Sequence, residues 1–308
     1  MTLQKRLPKF RRAPEALAGK RITDRSLLIV ETIGRYRFIA TTDIVRLVGG
    51  NEDVTYRHLQ QLYHQDLVSR IALPKNGSRG EFIYFLDNTQ ALRQLAQQSK
   101  LDPSSLDWNQ IKTNREKYRN TGRDGVGQFL FITHELMISR FRADLEIECR
   151  NSNGRVELAN WMQGSSTWNK VQAGARRTLP HRPDAFFSLH FPNAAPGQQR
   201  SNFFYEADRQ TSNLTRFKEK LEAHLLFLMQ RKHTQYGVQK IRAVLVHTIN
   251  KDWAHQLTSV AGQLAASEPL AAHLFWFTSS EELAENHDER SEIVMSIPCH
   301  VESRVAKT

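Results

Sequence analysis

The sequence predicts a mixed α/β (α+β) protein in two parts, a winged helix-turn-helix domain followed by a mixed sheet flanked by helices. Three observations predict it. Between residues 23 and 99, helical periodicity, a glycine break, a second helical stretch and a glycine-containing hairpin succeed one another. Between 126 and 303, a long helical stretch leads into short aromatic-rich runs bounded by turn residues, the pattern of covered strands. Between the two lies a polar stretch, 100–125, broken by Pro103, Gly122 and Gly125.

A chain of 308 residues is long enough for two domains, and 40% apolar with 24% charged residues is an ordinary globular composition. Cys149 and Cys299 build no disulfide framework and match no zinc spacing, so a reducing compartment is expected. There is no apolar signal region and no stretch long enough to span a membrane, which predicts a cytoplasmic protein. The net charge is +11, and its excess sits near the N-terminus in Lys5, Arg6, Lys9, Arg11, Arg12, Lys20, Arg21 and Arg25, against Glu15 and Asp24. Residues 1–22, with Pro8 and Pro14 and little periodicity, read as a flexible basic arm. Such an arm suits a polyphosphate partner such as DNA.

The elements follow in order. Asp24 is the expected cap of a helix carrying Leu27, Leu28, Val30 and Ile33. Residues 38–41 are extended, and Thr41 or Thr42 caps a second helix with Ile44, Val45, Leu47 and Val48. Gly49-Gly50 ends it, and Asn51 caps a third helix to about Gln65. Leu59, Leu62 and Tyr63, with Val54 or Thr55, form its inner face. Tyr56, Arg57, Gln60, Gln61 and His64 are left facing out, and Arg and Gln there suit base edges. Residues 68–73 and 81–86 pair as the wing, with Lys75 and Arg79 at its tip aimed at phosphate. Winged helices also bind proteins; the adjacent basic arm favours DNA. A helix over 89–99 closes the first domain.

In the second part, Phe129–Cys149 reads as a long helix, 155–162 as a strand, 241–247 as a buried strand, 252–266 as a helix and 273–277 as a strand. Residues 279–292 are acidic, and 292–303 is expected as an edge strand. The centre is Arg182-Pro183-Asp184 before one apolar run, and Phe203-Phe204-Tyr205-Glu206-Ala207-Asp208-Arg209 closing another. Residues two apart on a strand share a face, so Glu206 and Asp208 point the same way, and a neighbouring strand brings Asp184 beside them. Three carboxylates on one patch repel one another unless a cation lies between them, and oxygen donors suit Mg²⁺. Ser212 or Asn213 then caps a helix with an apolar stripe of Leu214, Phe217, Leu221, Leu225 and Leu228, flanked by Lys218 and Lys220.

This order of parts resembles the PD-(D/E)XK nuclease-like core. Its wording, RPDA, then FFYEADRQT, then EKLEAH, is similar to the plasmid replication-relaxation family, most strongly over Phe129–His224. The resemblance implies a winged-helix DNA-binding domain at 23–99 and a nuclease-like domain at 126–303. It further implies Asp184, Glu206, Asp208 and Lys220 as catalytic candidates, and Glu135 as a further Mg²⁺ ligand beside the three carboxylates. The chain departs from the family in two ways. Asp208 stands where the general motif carries lysine, so Lys220 is the expected replacement. Gln210 stands where the family prefers glycine. DNA is the implied partner, with a homodimer and replication or mobilisation proteins as further candidates. Two function classes stay open. One is a DNA-binding protein of plasmid or mobile-element replication or mobilisation with metal-dependent cleavage. The other is a non-enzymatic DNA-binding regulator with a degenerate nuclease-like domain.

Overall fold

The structure is a computed structural model describing residues 8–9, 11–17, 21–73, 80–98, 101–120, 126–210 and 213–283. It divides into two compact units, Met1–Ala143 and Asp144–Thr308.

The first unit opens with α1 (Asp24–Gly34), β1 (Ile39–Ala40), α2 (Thr41–Val48) and α3 (Glu52–His64). Then come β2 (Ser69–Ala72), β3 (Phe82–Phe85), α4 (Thr89–Gln98), α5 (Trp108–Asn120) and α6 (Val126–Asn151). The three strands form an antiparallel sheet in the order β1-β3-β2, with Ile39 opposite Tyr84 and Ser69 opposite Phe85. A three-helix head with this sheet is the expected winged helix. Its core packs Phe38, Ala40, Ile83 and Phe85 with Ile132 of α6, the Phe38 and Phe85 rings lying 5.0 Å apart. Each such aromatic or aliphatic side chain contributes about 1.5–3 kcal/mol on burial.

Several local expectations change here. Thr23, not Asp24, caps α1, its side chain accepting from Ser26 N. Ala40 precedes α2 with no side-chain cap, because Thr41 Oγ1 instead donates to Phe82 O at 2.7 Å and pins the wing strand. His64 is fully buried rather than outward. Its Nδ1 accepts from Ala13 N at 3.0 Å. The described end of the arm is therefore docked, not flexible. Arg12 donates to Tyr63 O, to Val68 O at 3.2 Å and to Ser69 Oγ at 2.9 Å, and pairs with Asp66 at 2.9 Å. The expected linker is also built in. Leu101, Leu106 and Ile111 are buried, and Asn114 Nδ2 donates to Leu86 O at 3.0 Å. The division between units falls within α6, not at residue 125. The wing tip, with Lys75 and Arg79, lies outside the described residues, as does the expected edge strand at 292–303.

The second unit takes the rest of α6, then β4 (Glu157–Gln163), β5 (Asn169–Ala173), β6 (Arg177–His181), β7 (Ala185–His190), β8 (Arg200–Asp208) and α7 (Leu214–Met229). β9 (Ala243–Thr248), α8 (Lys251–Ala265), α9 (Ala271–Leu274) and β10 (Phe275–Ser279) follow. The main sheet runs β10-β9-β8-β7-β4. β4, β7 and β8 form an antiparallel meander; β9 runs parallel to β8, and β10 parallel to β9. A parallel neighbour requires a crossover, which α7 supplies. This is the expected α-β-β-β-α-β order with an α-β extension. One sheet face carries Phe186, Phe204, Val244, Val246 and Phe275, in one core with Phe217, Leu221 and Phe227 of α7 and Leu257 and Val260 of α8. The β5–β6 hairpin is an addition the sequence pattern did not predict; it packs against α7. Among the described residues no helix is long and apolar enough to cross a membrane.

Candidate functional site

The pairing of β7 with β8 builds the acid pair. Ala185 lies opposite Tyr205, so Asp184, one residue earlier, comes beside Glu206. One backbone–backbone and one backbone–carboxylate hydrogen bond hold it there. Asp184 N donates to Tyr205 O at 3.1 Å, and Ala207 N donates to Asp184 Oδ2 at 2.8 Å. Glu206 follows Phe204 on the sheet face that α7 covers, and it is buried.

α7 brings the basic partners. Asn213 caps it, Oδ1 accepting from Arg216 N at 2.9 Å. Phe217, Leu221 and Leu225 anchor its inner face in the core. Lys220 and His224 are one turn apart and thus share a face. Lys220 Nζ meets Glu206 Oε2 and lies 3.8 Å from Asp184 Oδ2. His224 Nε2 lies 2.6 Å from Glu206 Oε1. On its other side, His224 Nδ1 lies 3.0 Å from Nε2 of His181, at the end of β6. His181 stacks on Phe227, with ring centroids 3.9 Å apart. Lys218 is exposed, and Lys220 is the one of the two that meets the acid pair.

The electrostatics follow from burial. Burial pushes the Glu206 carboxyl up, the Lys220 ammonium pulls it down and Asp184 adds to the rise, so that it stands well above the ordinary carboxylate value. Burial lowers Lys220, but the Glu206 and Asp184 carboxylates more than reverse this and leave it raised, firmly an ammonium. Burial, then the Lys220 charge, lowers His224 to about 3. Burial and His224 lower His181. Both imidazoles are therefore neutral at ordinary pH.

The other site candidates fall elsewhere. Asp208 is buried, and its Oδ1 accepts from Gln210 N at 2.7 Å, closing the turn after β8. Gln210 has φ of 60°, the left-handed region that glycine adopts most easily. Glu135 belongs to the first unit, where Arg37 Nη1 donates to its Oε1 at 2.6 Å. On α3, Arg57 is exposed and Gln60 and Gln61 are half-buried. Arg11 is exposed, whereas Arg12 is held by its intramolecular bonds.

These placements revise the electrostatic case for a metal. The cation between Asp184 and Glu206 is the Lys220 ammonium, so repulsion no longer demands another ion. Among the described residues no three His, Cys, Asp or Glu side chains are grouped to hold a metal. The pair still fits a divalent cation of the magnesium type, which keeps waters and uses only one or two carboxylates with substrate phosphate. Glu206 Oε2 is held by Lys220 as an ion pair. Asp184 and Glu206 would be the ligands.

His181 escaped the sequence reading because it lies on the unexpected hairpin. His224 appeared there only as the last residue of the EKLEAH wording, four residues after Lys220, with no role given to it. Comparison with curated proteins and with solved structures finds no match. The replication-relaxation family model matches residues 30–240. That span runs from α1 to beyond α7 and contains Asp184, Glu206, Lys220, His181 and His224. The chain belongs to the replication-relaxation family.

Proposed function

We propose that this is a DNA-binding protein of plasmid or mobile-element replication whose second unit cleaves DNA phosphodiester bonds with Mg²⁺. Family membership supports the replication role. The observation that carries the chemistry is the convergence of Lys220 on Asp184 and Glu206 from a separate element. When bound, Mg²⁺ supplies phosphate polarisation and a lowered pKa for its water. The chain's own residues do the rest. Asp184 and Glu206 would hold the ion, Asp184 fixed by the Ala207 amide and Glu206 by His224. Lys220, beside both carboxylates, would contact phosphate and offset the charge that develops on its oxygens. Exposed Arg57 with Gln60 and Gln61 of α3 read base edges, while Arg11, Lys75 and Arg79 meet phosphate.

A second reading has its own support. Both Glu206 oxygens are already engaged by His224 and Lys220, which suits a domain that binds DNA without cutting it. Incubation of supercoiled plasmid with the full chain and Mg²⁺ separates the two. Nicking that is lost in Lys220→Ala and in Glu206→Gln, with DNA binding retained, is expected. Binding without cleavage of single-stranded, duplex or branched DNA would establish the regulator reading instead.

A further inference from the structure

Beyond the acid pair and Lys220, the second unit buries two histidines in line with Glu206. His181, His224 and Glu206 are each about 1% exposed. Bulk water therefore does not reach them, and their polar contacts are with one another and with Lys220. Two polarities are open. In the first, His181 Nε2–H donates to His224 Nδ1, and His224 Nε2–H donates to the Glu206 carboxylate. In the second, Glu206 is protonated and donates to His224, whose Nδ1–H donates to His181.

The ends of the line decide between them. His181 Nδ1 has no hydrogen-bond partner among the described residues. The second polarity would put a proton on that nitrogen and bury an unpaired N–H, whereas the first leaves only a lone pair there, beside the Phe227 ring. At the other end the Lys220 ammonium can only donate, and its ion pair with Oε2 favours the ionised Glu206. The 2.6 Å separation of His224 Nε2 and Glu206 Oε1 is that of a short, strong hydrogen bond.

We propose that His224, keyed in one tautomer by His181, is a positioning residue for Glu206. It ties down Oε1, so that Oε2 is the oxygen turned to Lys220 and Asp184. The His181 donor sets the tautomer, as outer groups do for ligating side chains in metal sites. What Glu206 is positioned for rests on the nuclease reading above; the polarity of the line does not.

The test uses the full chain with ¹⁵N-labelled histidine. Long-range ¹H–¹⁵N spectra at neutral pH should show His224 neutral and protonated on Nε2, and His181 likewise. Two variants extend it. The amide of His181→Gln keeps a donor where Nε2 stood, while His181→Phe fills the space without one. The Gln variant should retain the single His224 tautomer. The Phe variant should lose it, and Mn²⁺ titrated alone should bind at least about tenfold more weakly than to wild type or to the Gln variant. A His224 protonated on Nδ1, or an imidazolium, overturns the proposal. So does a folded Phe variant with the wild-type tautomer or wild-type Mn²⁺ affinity. If wild type binds no Mn²⁺, the metal reading fails, and the tautomers of the three proteins still decide the proposal.

Discussion

Lys220 makes the sharpest case at the residue scale. It neutralises Glu206, a carboxylate buried to 1% exposure. Removing one partner of a buried pair costs about 3–5 kcal/mol. Lys220→Ala should therefore lower the thermal midpoint well below that of wild type. Millimolar Mg²⁺ should then raise the variant's midpoint more than wild type's, because the ion can take the vacated charge position. A variant insensitive to Mg²⁺ would argue against a divalent site at this pair. His247 supports a second prediction. Tyr205 Oη lies 2.7 Å from its Nδ1 and Ser280 Oγ lies 3.0 Å from its Nε2, and burial lowers it from 6.5 to about 4. Between those values the unfolded chain takes up the proton and the folded chain does not. The contribution is thus complete above pH 6.5 and lost as pH falls toward 4, about 3 kcal/mol in all. Denaturation of wild type and His247→Asn across that window should show the wild-type advantage shrinking by this amount. A constant difference would mean that His247 is not held neutral.

At the scale of elements, the docked arm and α3 let stability be tested apart from the proposed DNA contact. Arg12 spans the end of α3 and the start of β2 through Tyr63, Val68, Ser69 and Asp66. Arg12→Ala should cost about 1–3 kcal/mol of stability. Removing residues 1–7, with Lys5 and Arg6, should leave the midpoint unchanged and flatten the salt dependence of DNA binding. Arg57→Ala and Gln60→Ala should instead relax sequence preference, by about 1–3 kcal/mol per contacted base. Binding measured against salt and against a panel of duplexes distinguishes the three. Identical slopes and preferences throughout would remove DNA from these segments.

For the whole molecule, the division inside α6 matters most. Ile132 sits in the core of the first unit, and Glu135 holds Arg37, itself only 9% exposed. A fragment of residues 1–125 lacks both and strands the Arg37 charge. It should be less stable than a fragment of residues 1–143 by about 3–5 kcal/mol. Equal midpoints would show that the winged helix is complete without α6. The fragment of residues 126–308 keeps α6 entire and should fold cooperatively, as judged by a single denaturation transition.

Short-range pattern was enough for much of this protein. The periodicity of Leu59 and Leu62, the Asn51 and Asn213 caps, the wing strands and the apolar runs beside Asp184 and Glu206 all depend on neighbours a few residues away. Strand alternation likewise put Glu206 and Asp208 on one face before any fold was known. What lay beyond the sequence depends on partners far along the chain. Asp208 spends an oxygen on the Gln210 amide, Glu135 on Arg37 and Arg12 on the α3–β2 corner. No local signal distinguishes such consumed charges from available ones. His181 reaches Glu206 only because an unpredicted hairpin packs on α7. The residue types and their faces were legible because they follow from backbone geometry. Which charge meets which was decided only by tertiary packing, since burial makes each polar atom find a partner wherever the fold brings one.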